Sequence, residues 1–189
     1  MKILRAQDYR RMPWKNGKGE TVEITVFPAG ASVADFGWRV SMAPVVSDGA
    51  FSTFEEIDRT LSILTGEGMV LSVEGMAPEV MGAASAPFSF PGDAATHAVL
   101  TQGRITDLNV MTRRGRFSHR VRRVETGGGI ALSRDATVTM IVVTGDASVA
   151  GLALRPLDAV LLEEQEAAVS VASDRPCFVI EIIETAGPD

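Results

Sequence analysis

Polar side chains suited to ligand recognition share one face on each of three predicted strands. Successive side chains of a strand point to opposite faces, so residues two apart lie on the same face. The three polar pairs are Thr21 and Glu23, Arg39 and Ser41, and Asp107 and Asn109. Arginine binds carboxylates through a rigid fork of N–H donors, while Asp and Asn supply acceptors and an amide donor that orient a ligand. If these faces point into the interior of a barrel, they line a pocket for a small polar acid; if not, they are ordinary solvent-facing sides.

Two further segments could add side chains to the same pocket. The segment "SDGAFSTF" holds an Asp-Gly turn signal at Asp48, followed by Phe51 and Ser52. The segment "DRTLSIL" opens a predicted strand with Asp58 and Arg59, which could equally form a surface ion pair of little consequence.

The residue types that hold metals or perform nucleophilic catalysis are scarce. The chain has two histidines, His97 and His119, without a His-x-His pair, and its one cysteine, Cys177, excludes an intrachain disulfide. There is no Gly-x-Ser-x-Gly motif and no glycine-rich phosphate loop before a helix. Glu55 and Glu56 offer carboxylates for acid–base chemistry, without other support. We therefore predict no metal, no cofactor and no catalytic residue, and favour a binding protein over an enzyme.

The elements that position these side chains read as strands almost throughout. Short β-branched or apolar runs alternate with Gly, Pro and Asp turns, a pattern typical of an all-β sandwich or barrel. In the second half, "TVTMIVVTG" and "CFVIEII" are nearly continuous apolar runs, as in strands buried on both faces. "LSILTGEGMVLSV" resembles "TMIVVTGDASVAG", which indicates two similar β-sheets or barrels joined near "VETGGGIALSRDA".

Charge argues against a general nucleic-acid binder, because 18 basic and 24 acidic residues give a formal charge of −6. The local exception is "RRGRFSHRVRR" (Arg113–Arg123), which fits either an anion-binding patch or a solvated edge strand whose charges discourage pairing with other sheets. No apolar run reaches the roughly 18 residues of a membrane span, and the N-terminal segment lacks the apolar core of a signal peptide. We therefore expect no nucleic-acid or membrane partner, a cytoplasmic location, and a possible homodimer through sheet edges.

Four separated motifs now combine. "PWKNGKGETVEI", "FGWRVSMAPVVSDGAFSTFEEIDRTLSILTGEGM", "FSFPGD" and "DLNVMTRRG" occur in this order. Together they resemble the HutD/Ves family of bacterial proteins over about Met1–Arg116. The resemblance implies a bicupin-like fold of two tandem β-barrels. We assign residues 1–125 to a first barrel with the ligand pocket and residues 126–189 to a smaller, structural barrel.

The resemblance also implies a function. HutD-type members are thought to be non-enzymatic modulators of histidine utilisation that sense an intermediate such as N-formylglutamate or formiminoglutamate, and Ves-type members are linked to cold or other stress. The expected partner is thus a small carboxylate, bound by Arg39 and Arg59, with Trp14 and Phe51 as pocket walls. The alternatives are a metal-free enzyme with Glu23 or Asp107 as general base, and a stress-related interaction protein.

The predicted ligand-binding set is drawn from the family's motif positions. It comprises Trp14, Asn16, Thr21, Glu23, Arg39, Ser41, Asp48, Phe51, Ser52, Arg59, Asp107, Asn109 and Arg113. Two positions depart from the family pattern: Lys18 and Glu56 each stand where a glycine is usual.

Overall fold

The chain folds almost entirely into β-strands, as the alternating pattern predicts. The computed structural model describes residues 1–14, 19–125, 128–162 and 168–185, in which the only helical element is one 3-10 turn at Ala6–Asp8. The strands are β1 (Lys2–Leu4), β2 (Arg10–Pro13), β3 (Glu20–Phe27), β4 (Trp38–Val45), β5 (Gly49–Ala50), β6 (Ile57–Thr65), β7 (Met69–Val73), β8 (Glu79–Met81), β9 (Phe88–Pro91), β10 (Thr96–Leu100), β11 (Ile105–Arg113), β12 (Phe117–Val124), β13 (Gly128–Ala131), β14 (Val138–Val143), β15 (Ala147–Val149), β16 (Leu152–Leu154), β17 (Ala159–Leu162), β18 (Ala168–Ser173) and β19 (Cys177–Glu184). Among these residues no helix has the length and apolar character needed to cross a membrane.

The strands form two compact units. One unit is Arg10–Arg114, and the other joins Met1–Tyr9 to Gly115–Asp189. This division differs from the predicted boundary at residue 125, because β1 pairs with β17 and β12 pairs with β19. The N-terminal strand β1 and the arginine-rich strand β12 therefore share a sheet with the C-terminal strands, and the division lies before the glycine run that the sequence analysis took as the boundary.

The unit Arg10–Arg114, called here the polar unit, contains a six-stranded and a four-stranded antiparallel sheet. Their strand orders are β2-β3-β4-β11-β6-β9 and β5-β10-β7-β8. One apolar cluster of this unit includes Leu61, Met69, Leu71 and Ile105, all fully buried. The central strands β4, β11 and β6 also bury polar side chains, so the interior of this unit is not uniformly apolar.

The unit formed by Met1–Tyr9 and Gly115–Asp189, called here the apolar unit, contains a five-stranded and a four-stranded sheet. Their strand orders are β1-β17-β14-β19-β12 and β13-β18-β15-β16. Twelve buried side chains, mostly Val, Ile and Leu, form its core cluster, including Ile141, Val160 and Val179. β14 and β19 are buried along most of their length, as their continuous apolar runs predict.

The sheets are open. Within the described residues, no hydrogen-bonded ladder joins the first strand of any sheet to its last, so each sheet keeps two edge strands. An all-β fold is what the sequence predicts, but closure into two tandem barrels is not confirmed. The arginine-rich strand β12 lies at a sheet edge, the position that its charge pattern favours.

Candidate functional site

A cavity of about 870 Å³ lies within the polar unit. Its polar wall comes from β3, β4, β6 and β11, which are neighbours in the six-stranded sheet, and the loop Phe51–Glu56 contributes a second wall. Ser41 and Asn109 are directly opposite each other in the ladder between β4 and β11. Ten of the predicted ligand-binding residues line the cavity: Trp14, Thr21, Arg39, Ser41, Phe51, Ser52, Arg59, Asp107, Asn109 and Arg113.

Arg39 enters the cavity wall already paired with a carboxylate. Its Nε donates to Oε2 of Glu23 at 2.8 Å, and both side chains are buried. A register shift between Glu23 and Thr25 marks a β-bulge in β3 beside this pair. Glu23 itself is not a lining residue, so the structure gives it the part of a partner for Arg39. The positive charge of Arg39 is therefore offset before any ligand arrives.

Arg59 has a different environment. Both its Nε, at 2.7 Å, and its Nη2 donate to Oδ1 of Asn109, which is a neutral acceptor. Its guanidinium lies over the rings of Phe51 and Phe90, with Cζ 4.8 Å and 5.5 Å from the ring centroids. Amide oxygens and aromatic faces attract a cation but carry no net negative charge to balance it.

Asp107 completes a chain of hydrogen bonds that starts at Arg59. The Nδ2 of Asn109 donates to Oδ1 of Asp107 at 2.7 Å, and the backbone N–H of Ala43 donates to the same oxygen at 3.1 Å. A register shift between Thr106 and Asp107 places a β-bulge next to this carboxylate. Asn109 thus stands between a guanidinium and a carboxylate and separates the two charges by one neutral amide.

Burial is the largest influence on the pKa values of Arg59 and Asp107, the two ends of this chain of hydrogen bonds. It lowers the pKa of Arg59 to about 10, although the negative charge of Asp107 works in the opposite direction. Burial also raises the pKa of Asp107 to about 6, against the effects of Arg59 and of its hydrogen bonds. Arg59 therefore stays charged near neutral pH, while Asp107 titrates close to it.

Trp14 is held in the cavity wall by a specific contact. Its indole Nε1 donates to Oγ1 of Thr21 at 2.9 Å. A Cβ placed on Gly19 would lie 2.8 Å from the indole ring, so a side chain at this position would displace the ring. Trp14 and Gly19 of the first motif are therefore coupled through packing.

Arg113 lines the cavity but also ties down neighbouring backbone. Its guanidinium donates to the carbonyl oxygens of Phe36 at 3.1 Å and Ala34 at 3.0 Å, and lies 3.6 Å from the carboxylate of Glu56. Glu56 has a φ of 58°, a backbone conformation that favours glycine. The glycine that the family resemblance leads us to expect at this position would adopt that conformation without strain.

Two of the described predicted residues, Asp48 and Glu23, do not line the cavity. Asp48 is exposed, and its carboxylate accepts the backbone N–H of Leu100 at 2.8 Å. Asn16 lies outside the described residues. Glu23, as described above, contacts the site only through Arg39.

Several lining residues have no place in the predicted set. Ala43 and Val45 share strand parity with Arg39 and Ser41, and Met111 shares it with Asp107 and Asn109. That parity could have identified all three, had the strand faces that carry the polar pairs been followed to their apolar members. Met12 lies opposite Thr21 in the ladder between β2 and β3, a pairing that no local signal indicates.

The described residues contain no cluster of three or more His, Cys, Asp and Glu side chains able to hold a metal ion.

The arginines of the Arg113–Arg123 segment contact groups of the chain itself. In β12, Arg120 bonds Asp135 and Glu181, and Arg122 bonds Glu181 and the carbonyl oxygen of Ala131. Arg114 bonds Asp58 and Asp93 in the polar unit. These contacts fit a charged edge strand better than an open anion-binding patch.

The sequence of this chain is similar to a known protein family and to curated bacterial proteins. A family model described as HutD matches residues 6–179. A Pseudomonas putida protein, described as an uncharacterized 21.2 kDa protein in the hutC 3′ region, is 40% identical over 121 residues, which is 64% of this chain and 63% of that protein. Protein Ves from Citrobacter koseri is 39% identical over 119 residues, 61% of each chain. The match thus spans less than two thirds of either curated relative.

Two solved structures match nearly the whole chain. HutD from Pseudomonas fluorescens SBW25, in a formate condition, is 31% identical with a TM-score of 0.85, covering 98% of this chain and 99% of that one. A conserved protein of unknown function from Pseudomonas aeruginosa PAO1 is 32% identical with a TM-score of 0.80, covering 98% of both chains.

A more distant likeness concerns the fold alone. Bacterial pirin from Escherichia coli, in complex with nickel(II), has a TM-score of 0.59 at 10% identity and covers 99% of both chains. Oxalate decarboxylase from Lactobacillus farciminis has the same score and identity, covering 97% of this chain and 86% of that one. The all-β fold therefore has cupin-like neighbours.

Proposed function

Because the chain belongs to the HutD family, we propose that it is a non-enzymatic protein that binds a small carboxylated amino-acid derivative, such as N-formylglutamate or formiminoglutamate. Through this binding it would modulate histidine utilisation. The family membership and the hutC-region relative support the link to that pathway. The cavity of the polar unit supports the binding role, since about 870 Å³ falls within the usual range of small-molecule sites.

The observation that carries the proposal is the guanidinium of Arg59. Its side chain is buried in the cavity wall and hydrogen-bonded to the neutral oxygen of Asn109. A buried charge costs free energy unless an opposite charge or a full set of hydrogen bonds compensates it. A ligand carboxylate would supply that compensation in the fork geometry that arginine favours.

The remaining lining groups suit the other end of such a ligand. Ser41 and Asn109 offer a hydroxyl and an amide, and Asp107 offers a carboxyl oxygen, to a formyl, formimino or amide group. Trp14 and Phe51 contribute aromatic surface to the cavity wall. The partly exposed Arg113 is a second cation for a ligand with two carboxylates.

Calorimetric titration tests the proposal. N-formylglutamate and formiminoglutamate should bind and raise the melting temperature, whereas N-formylglutaminamide, which lacks both carboxylates, should not. Histidine, urocanate and glutamate complete the panel, each with and without added divalent metal. Absence of binding by every carboxylate in the panel would remove the proposal.

One observation favours a second candidate, a metal-free enzyme acting on the same ligand. Asp107 lines the cavity, and its pKa of about 6 suits a general base near neutral pH. Incubation of the protein with N-formylglutamate distinguishes the two candidates, because catalysis releases formate whereas binding alone leaves the ligand intact.

The proposal extends to the setting of the protein. We propose a cytoplasmic location, in keeping with the free, buried thiol of Cys177, and a bicupin-like fold, supported by the likeness to pirin. The exposed sheet edges would allow a homodimer, with no nucleic acid or membrane as partner. Size-exclusion chromatography with light scattering measures the oligomeric state directly.

A further inference from the structure

The chain of hydrogen bonds from Arg59 through Asn109 to Asp107 has a consequence for what the cavity takes up. We propose that the site binds a carboxylate together with one proton, which Asp107 accepts from solvent on Oδ2 and then donates in a hydrogen bond to the ligand. No other bond is made or broken. This inference rests on the proposed function and adds proton-linked recognition to it.

The hydrogen-bond geometry around Asp107 permits this protonation without loss. The N–H of Ala43 and the Nδ2 of Asn109 both donate to Oδ1 of Asp107. A proton added to Oδ2 therefore leaves both bonds intact and creates a new O–H donor. Because Asp107 lines the cavity, that donor and the guanidinium of Arg59 can address one carboxylate from two sides.

The charges around the cavity explain why the proton is needed. Arg39 is paired with Glu23, and Arg113 is close to Glu56 and bonded to two carbonyl oxygens. Among the described lining residues, the other charges are Arg59, Asp107 and Glu55; Glu55 is exposed on the loop. A carboxylate that binds at Arg59 therefore meets the negative charge of Asp107 across Asn109.

Proton uptake removes this repulsion. In the free protein the pKa of Asp107 is already raised to about 6 by burial. A second carboxylate nearby disfavours the charged form further, so the pKa of Asp107 is higher in the complex than in the free protein. Between these two pKa values, binding of one carboxylate takes up close to one proton.

The sign of the pH dependence follows. Below about pH 6, Asp107 is neutral before binding and the carboxylate binds with full affinity. Above that value the affinity falls by up to about tenfold per pH unit, until the pKa of the complex is reached. N-formylglutamate remains fully ionised over this range, so the dependence reports the protein.

The test is calorimetric titration of N-formyl-L-glutamate from about pH 5.5 to about pH 8.5 in buffers of different ionisation enthalpy. The native protein should take up close to one proton and lose affinity as the pH rises. Asp107→Asn has the shape of the protonated acid, so its affinity should be independent of pH and exceed that of the native protein at about pH 8. Asp93→Asn removes a partly exposed carboxylate paired with Arg114 and should keep the native profile.

The outcomes separate this inference from the proposed function. If the native protein binds tightly, with an affinity independent of pH and without proton uptake, proton-linked recognition is wrong while the proposed function stands. The same conclusion follows if a folded Asp107→Asn variant loses affinity at every pH. Absence of binding by the native protein at every pH overturns both. Thermal denaturation shows whether the Asp107→Asn variant is folded. If it is not, proton uptake by the native protein still tests proton-linked recognition.

Discussion

The two units are built from similar antiparallel sheets but use their interiors differently. In the apolar unit, Val, Ile and Leu side chains fill the space between the sheets. In the polar unit, the equivalent central strands carry Arg39, Arg59, Asp107 and Asn109 around a cavity. A shared pattern of strands therefore does not determine whether an interior is a packed core or a site.

The buried charges of the two units sharpen this contrast. In the apolar unit, Glu181 accepts from Arg120, Arg122 and the backbone N–H of Ser133. Asp158 accepts from Arg5 and from two backbone N–H groups. In the polar unit, the bonds of Arg59 end on a neutral amide. Charges that serve the fold are fully paired within the chain, whereas Arg59 keeps an incomplete balance that a ligand can complete.

The largest expected effect is a loss of stability in the apolar unit, where the buried charges are fully paired. Glu181→Ala removes the buried acceptor of two arginines and of the backbone N–H of Ser133, and should lower the free energy of unfolding by about 3 kcal/mol. Glu181→Gln keeps the shape and an acceptor oxygen, so it should cost less. Urea denaturation measures both. Unchanged stability of Glu181→Ala would mean that this network does not support the fold, and the contrast would fail.

Next in size is the effect of removing the incompletely paired charge. Arg59→Gln should weaken binding of N-formylglutamate by about 100-fold, because a buried charge-assisted interaction is lost. Its stability should stay near the native value, since the variant also removes a buried charge that has no direct ionic partner among the described residues. Calorimetry and urea denaturation test both halves of this statement.

Arg122→Gln is the matched control in the other unit. Arg122 contacts Glu181 with a half-exposed side chain, so the variant should keep native affinity. If Arg59→Gln retained the affinity of the native protein, Arg59 would not be the anion-binding group. If it unfolded the protein, the neutral partners of Arg59 would be part of the fold after all.

Strand alternation explains why much of the site could be predicted. Arg39 and Ser41 on β4, and Asp107 and Asn109 on β11, were assigned to shared faces, and the neighbouring positions of the two strands bring these faces together at the cavity. Alternation is a local property, so the sequence reveals it directly. The all-β fold was predictable for the same reason.

Long-range and irregular features escaped prediction. The pairing of Lys2 with Leu161 moves the N-terminal strand into the apolar unit, and no local pattern reports such a contact. Glu23, which was predicted to bind the ligand, is instead paired with Arg39, beside a β-bulge in β3. Both features depend on how distant strands align, which alternation alone does not determine.

Each unit has one Thr-Gly pair from the internal repeat, Thr65-Gly66 in the polar unit and Thr144-Gly145 in the apolar unit. We expect a smaller difference between the effects of glycine substitution at these two positions. Gly66 has a φ of 94°, and a Cβ there would lie 2.6 Å from the backbone oxygen of Arg104. A Cβ on Gly145 would meet side chains, those of Asp174 and Arg175, which can move. Gly66→Ala should therefore cost about 2 kcal/mol in the free energy of unfolding and Gly145→Ala about half as much. Equal losses in urea denaturation would show that the two turns are constrained alike.

The smallest expected effect comes from giving Arg59 the ionic partner that it lacks. Asn109→Asp places a carboxylate where the neutral acceptor stands, so the polar unit acquires the complete pairing found in the apolar unit. The ligand then competes with an internal carboxylate, and its affinity should fall by about tenfold at about pH 7.5. Because Asn109 also donates to Asp107, the new carboxylate should raise the pKa of Asp107 further and make the loss smaller at lower pH. Calorimetry at two pH values measures this, and an affinity equal to that of the native protein would show that the neutral partner of Arg59 is not what leaves the site open to an anion.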